Sequence, residues 1–124
     1  MPAQATDIIL VVDDSPTELQ LISAPLKAKG YSIITAVDGD EAIEKARSLH
    51  PPVMLLDVIM PKKNGFQVCR LLKSSPDTQD IKIILISSKN QESDKFWGMK
   101  QGADAYIIKP FDEKTLLATV AKFM

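Results

Sequence analysis

Five side chains with the means to handle phosphate or a metal ion stand at matching points of the chain. Asp13 and Asp14 directly follow the apolar run Ile8 to Val12, Asp57 follows Val53 to Leu56, Ser87 closes Lys82 to Ile86, and Lys109 follows Ala105 to Ile108. Two carboxylates 4 Å apart repel by ~1 kcal/mol in water and ~4 kcal/mol at an effective dielectric of 20. A cluster of Asp13, Asp14 and Asp57 therefore calls for a cation. Mg2+ suits it, because that ion takes oxygen ligands, keeps several waters and commonly binds through one or two carboxylates and phosphate oxygens. Calcium fits less well, since the sequence has no EF-hand loop. Beside such an ion the Asp57 carboxylate can act as a nucleophile toward phosphorus. Lys109 supplies a positive point charge for Asp57 and then for a phosphoryl oxygen. Ser87 can donate a hydrogen bond to another phosphoryl oxygen, which makes its position a switch.

Each residue alone has an ordinary explanation. An Asp-Asp pair is commonly a turn or a helix cap, Lys109-Pro110 taken by itself is a trans bond ending a strand, and Tyr106 is a half-buried strand aromatic. Their joint occurrence at successive strand ends is what singles them out, so the elements that carry them matter. The runs are short, β-branched and continuously apolar, the pattern of strands covered on both faces. Between them lie helical patterns. Ser15-Pro16-Thr17-Glu18 has the form of a capping box with proline at the first helical position, followed by the stripe Leu19, Ile22 and Leu26 and closed at Gly30. Pro25 inside that stripe predicts a kink or an early end, at a cost of ~3 kcal/mol. Asp38 and Glu41 repeat the cap after the strand Ser32 to Val37, before Ala42, Ile43, Ala46 and Leu49 turn inward. A third helix from about Gly65 buries Phe66, Cys69 and Leu72. Ser74 to Asp80 reads as a polar loop, a fourth helix spans about Ser93 to Gln101, and a fifth, capped by Asp112, buries Leu116, Val120 and Phe123. His50, beside two prolines, reads as an exposed loop residue.

Five strands alternating with five helices predict an α/β fold with right-handed crossovers and helices on both faces of one parallel sheet. Ligands of such sheets bind outside the carboxyl ends of the strands, where the strand order reverses. All five reactive residues fall there. The 124 residues suffice for one packed core, and 1–124 is expected to form a single domain without an output domain. With 15 Lys+Arg against 16 Asp+Glu there is no global field to draw the protein to nucleic acid or an anionic membrane. Met1 to Asp7 lacks the features of a secretory leader, and no apolar run approaches the ~20 residues that cross a bilayer. No membrane insertion and a cytoplasmic location are expected. The one cysteine, Cys69, is expected in the core.

The motifs Val11-Val12-Asp13-Asp14-Ser15, Leu55-Leu56-Asp57-Val58-Ile59-Met60-Pro61, Gly65, Ser87, Gly102-Ala103, Tyr106 and Lys109-Pro110-Phe111 resemble the CheY-like receiver family of response regulators over essentially the whole chain. The resemblance implies a flavodoxin-like sheet of order 2-1-3-4-5. It implies that Asp13, Asp14 and Asp57 hold Mg2+ together with the backbone carbonyl of Ile59, that a histidine kinase phosphorylates Asp57, and that Lys109-Pro110 is cis. It further implies that Ser87 and Tyr106 move together on phosphorylation and remodel a face made by the fourth helix, fifth strand and fifth helix, which a downstream partner reads. Asp14-Ser15-Pro16-Thr17-Glu18 and Asn90 to Gly98 are similar to PilH-like regulators of type IV pilus chemosensory systems. That likeness implies a CheA-like kinase and an output in surface motility or phototaxis, and the protein is expected to be a monomer. Trp97 is then either a packing residue or a partner contact.

Rival functions fare worse. An aspartate phosphatase needs a second acid two residues after its nucleophile, and here that position is Ile59. The chain is therefore expected to catalyse only its own phosphorylation and dephosphorylation. In a flavodoxin-like mononucleotide binder, Asp13 and Asp14 would repel the phosphate. The stronger rival is a docking module on the same fold that works without phosphorylation, or a phosphate sink for another regulator. Ile59 stands where receivers often carry a polar side chain, and Lys89 where an acid or small residue is common. Ile59 is expected to leave an attacking water unoriented and so prolong the aspartyl phosphate, with Lys89 a countervailing influence.

Overall fold

A computed structural model describes residues 8–124. Met1 to Asp7, where no leader is expected, lie outside the described residues. Among those described, five parallel strands alternate with five helices: β1 Ile8–Val12, α1 Pro16–Ala28, β2 Ser32–Ala36, α2 Gly39–Leu49, β3 Val53–Asp57, α3 Gly65–Lys73, β4 Lys82–Ser87, α4 Glu92–Lys100, β5 Ala105–Ile108 and α5 Glu113–Ala121. The sheet order is β2-β1-β3-β4-β5, as the resemblance implied. The three central strands are almost wholly buried, which is why they read as unbroken apolar runs rather than alternating ones.

Alternation of side chains along each strand splits the core into two layers. Leu10, Val12, Met54, Leu56, Ile83 and Leu85 pack toward Ala42 and Ala46 of α2 and Val68, Cys69 and Leu72 of α3. Ile9, Val11, Val53, Leu55, Ile84, Ile86 and Ile107 pack toward Ile22 and Leu26 of α1 and Leu116 and Val120 of α5. The same alternation carried to the strand ends puts Asp13, Asp57 and Lys109 on the α1/α5 side and Ser87 on the other. The register brings these ends level: Val12 pairs with Leu56, Asp57 with Ile86, and Ser87 with Ile108.

Local departures from expectation have identifiable causes. α1 neither ends nor frays at Pro25 but runs on to Ala28. The bond that Pro25 cannot make would go to the carbonyl of Leu21, on the solvent side of the helix, where the Leu21 side chain is 58% exposed. The capping box of α1 is only half formed. Ser15 Oγ accepts from the Glu18 N–H at 3.3 Å, but the Ser15 N–H donates to Asp13 Oδ1 at 3.0 Å and the Glu18 side chain goes elsewhere. β2 stops at Ala36 because the Val37 N–H donates to Glu41 Oε1 at 2.7 Å. Leu49, expected inward, is exposed in the last turn of α2, while Leu19, Ile43, Phe66 and Phe123 pack on the core only partly buried. His50 is exposed as expected, but it is also the left-handed residue that closes α2, with φ 45°. The loop after α3 hides a fully buried Thr78, whose hydroxyl donates to the Leu72 carbonyl at 2.7 Å and ties off that helix. Cys69 lies in the core as expected, and burial pushes its thiol up to about 12.

Candidate phosphoacceptor and metal site

The turn from β1 into α1 delivers Asp13, buried, and Asp14, exposed. The end of β3 delivers Asp57, 6% exposed. Gly65 opens α3 close beneath this strand end. Its N–H donates to the Val58 carbonyl at 2.8 Å, and a Cβ there would sit 2.8 Å from the Val58 Cα. Only glycine lets α3 start so near Asp57.

One oxygen from each of Asp13, Asp14 and Asp57 can be drawn from a set lying within 4.8 Å of one another. Lys109 reaches them from the end of β5. Its Nζ donates to Asp13 Oδ2 at 3.0 Å and to Asp57 Oδ1 at 3.2 Å, and it pairs with Glu18 Oε1 at 2.9 Å. Burial and the neighbouring Asp13 charge raise the Asp57 carboxyl to about 6 against the counter-pull of Lys109, with the Asp14 charge adding to the rise. For Lys109, burial works against the charged form but is outweighed by the pairings with Glu18 and Asp13 and by the Asp57 charge, so its pKa is raised. The site holds more negative charge than Lys109 balances and offers hard oxygen donors. That donor set fits a divalent cation of the Mg2+ kind.

Ser87 is fully buried on the opposite side of the sheet, and its Oγ accepts from the Lys89 N–H at 3.1 Å. Tyr106 is half-buried, and its hydroxyl donates to the Lys89 carbonyl at 2.9 Å. Ser87 and Tyr106 thus grip the two ends of one loop residue. Burial raises the Tyr106 pKa. Lys109-Pro110 is cis. Ile59 projects outward, 56% exposed, beside Met60, Asn64, Phe66 and Lys89 around a shallow hollow.

Every reactive residue picked from the sequence lies at this end of the sheet. Glu18 was missed in that role: at the third position of α1 its local pattern reads as half of a cap, while its ion-pair partner, Lys109, lies far along the chain, just after β5. Its place in the first turn after the acid pair was the available signal. Lys62 and Lys63 were also passed over. They pair with Asp38 at 3.5 Å and Asp40 at 2.8 Å, linking the loop after Asp57 to the start of α2.

A parallel 2-1-3-4-5 sheet with an acid cluster and a lysine at its carboxyl end defines a receiver. The chain belongs to the response regulator receiver domain family, whose model matches residues 9–121. It is similar to protein PilH of Pseudomonas aeruginosa, with 45% identity over 112 residues covering 90% of this chain and 93% of PilH. Protein PilG of the same organism is 36% identical, with 90% and 83% covered. Among solved structures, the chemotaxis response regulator CheY4 of Vibrio cholerae superposes with a TM-score of 0.89 at 31% identity, over 96% of this chain and 99% of that one. Larger regulators share only this part: the match to PleD of Caulobacter vibrioides, 41% identical, spans 25% of PleD. The receiver reading, its CheY-like fold and its PilH-like character all hold.

Proposed function

We propose that this receiver works as a single domain that accepts a phosphoryl group on Asp57 from a CheA-like histidine kinase and passes the signal to a protein partner in type IV pilus motility or taxis. The observation that carries the reading is the Lys109 ammonium lodged between Asp13 and Asp57, 3.0 and 3.2 Å away, beside the exposed carboxylate of Asp14. Asp13, Asp14, Asp57 and the backbone carbonyl of Ile59 would hold Mg2+. That ion supplies neutralisation of charge on the transferring group.

The residues of the chain divide the remaining work. At neutral pH the Asp57 carboxylate, whose pKa is about 6, is ionised and available as nucleophile. One of its oxygens bonds to phosphorus as the bond from phosphorus to the donor's imidazole nitrogen breaks, and the imidazole leaves with the electron pair. Lys109 exchanges an aspartate oxygen for a phosphoryl oxygen. Ser87 turns its hydroxyl toward another phosphoryl oxygen and in doing so releases the Lys89 N–H. Release of Lys89 loosens the carbonyl that holds the Tyr106 hydroxyl, so the change at Asp57 reaches β5.

α4 is suited to read that change. Gly98 is its only buried residue, and a Cβ there would lie 3.2 Å from Tyr106 Cδ2. Phe96, Trp97 and Met99 are exposed. Exposure of Trp97 favours a partner contact over packing for that residue. The PilH and PilG likenesses support the pilus assignment.

Incubation with phosphoramidate and Mg2+, followed by intact-mass measurement, tests the chemistry. A gain of one phosphoryl group that is lost in Asp57→Asn and without metal is expected. No gain under conditions where another receiver reacts would favour a docking module that works without phosphorylation.

A further inference from the structure

We propose that Glu18 is a positioning residue for phosphoryl transfer: it tethers Lys109 from the α1 side and sets the charge that an incoming phosphodonor meets. The inference rests on the reading of Asp57 as phosphoacceptor and deepens it.

A residue in Glu18's position ordinarily turns its carboxylate back to the N–H of the cap residue. Here that N–H, of Ser15, is already taken by Asp13 Oδ1 at 3.0 Å. The Glu18 side chain is thereby free to leave its own helix, and its Oε1 lies 2.9 Å from Lys109 Nζ. An ammonium has three N–H donors. Lys109 has three carboxylate partners, hydrogen-bonded to Asp13 at 3.0 Å and Asp57 at 3.2 Å and ion-paired with Glu18 at 2.9 Å, so its ammonium is ringed by acids before any phosphate arrives.

The three partners are not equivalent. Asp13 and Asp57 are fixed at the ends of central strands and are nearly inaccessible. Glu18 is 32% exposed on a longer side chain. Glu18 and Lys109 both line a hollow of about 600 Å³ with Leu21, Pro110 and Phe111, and through the shared ammonium the Glu18 charge is felt at Asp57. An anion approaching Asp57 meets this charge, and a phosphoryl oxygen must compete with it for Lys109. A small dianionic donor brings nothing to offset either effect. A protein donor that carries its phosphoryl group on an imidazole and makes its own contacts can. Glu18 therefore favours the protein donor over free acyl phosphates.

The test compares wild type, Glu18→Gln and Glu18→Asp at constant ionic strength with Mg2+. Phosphorylation rates are measured with dianionic acetyl phosphate and with less charged phosphoramidate. Solvent exchange of the Lys109 ammonium protons is followed by ¹⁵N NMR, with Lys109→Arg to assign the signal. Glu18→Gln is expected to speed the acetyl phosphate reaction about three- to tenfold, the phosphoramidate reaction less, and to quicken ammonium exchange. Glu18→Asp keeps the charge and loses the reach, so it should retain the slow acetyl phosphate rate while exchange quickens. Unchanged or slower acetyl phosphate rates in Glu18→Gln would overturn the proposal whatever the exchange shows. If wild type itself takes up no phosphoryl group from either donor, the reading of Asp57 fails and the proposed role in transfer falls with it. Equal uptake by wild type and Glu18→Gln overturns Glu18's role alone.

Discussion

Asp57 is an ionisable group kept where its charge is unwelcome, clustered with Asp13 and Asp14 in a mostly buried site. Its carboxyl rises from 3.8 to about 6. The folded state therefore binds the proton more tightly than the unfolded state, and stability falls as pH climbs through that interval, then levels off above it. Asp57→Asn removes this cost. In metal-free buffer at pH 7 it should stabilise the fold by about 1–2 kcal/mol, a figure reduced for solvent screening, with the difference from wild type vanishing below about pH 4. Thermal or urea unfolding at several pH values measures this, and added Mg2+ should narrow the gap by stabilising wild type. Ile59 makes a second prediction at this scale. Its exposed apolar side chain beside Lys89 offers no hydrogen bond to an attacking water. Ile59→Asn should shorten the lifetime of the phosphorylated form, timed by loss of the added mass, and an unchanged lifetime would refute the role given to Ile59.

The elements divide into those that hold the site and one that is poised to move. α1 tolerates Pro25 because the missing bond falls on its wet side. Pro25→Ala should stabilise the protein by about 2 kcal/mol, the helix-interior cost of proline less the order it lends the unfolded chain. Chemical denaturation would measure it. α4 is the contrary case, touching the sheet through Gly98 and leaving three large apolar side chains in water. Its amides should exchange with solvent faster than those of α2 and α3, and phosphorylation should change their exchange more than that of any other helix. Hydrogen-exchange mass spectrometry reads both. The strands were legible because burial on both faces leaves an unbroken apolar run, as in Val53 to Leu56. The less legible features depend on distant partners. Thr78 sits in a run of turn-forming residues and is buried only because α3 needs its last carbonyl tied. Leu49 fits the apolar stripe of α2 but lies in its last turn, where nothing covers it.

At the scale of the whole molecule, the site is an assembly of strand ends. Asp13 and Lys109 are 96 residues apart in sequence and 3.0 Å apart in space. Parallel order 2-1-3-4-5 makes that meeting possible, since it sets β1, β3, β4 and β5 side by side with their carboxyl ends together. This explains why the acids, serine and lysine stood out from their places at strand ends, while Glu18, on a helix, offered only the weaker signal of its place one turn after the acid pair. The same geometry lets one added group be felt on both sides of the sheet: Lys109 on the α1/α5 side, Ser87 and Tyr106 on the side of α4.

The central claim, that Asp57 is the residue that takes the phosphoryl group, is tested most directly by reducing the acyl phosphate where it forms. After reaction with phosphoramidate and Mg2+, borohydride converts an aspartyl phosphate to homoserine, and peptide sequencing by mass spectrometry locates it. Homoserine at position 57, absent when donor or Mg2+ is omitted, is the predicted result. Homoserine at position 13 or 14, or at neither of these nor 57, would contradict the account.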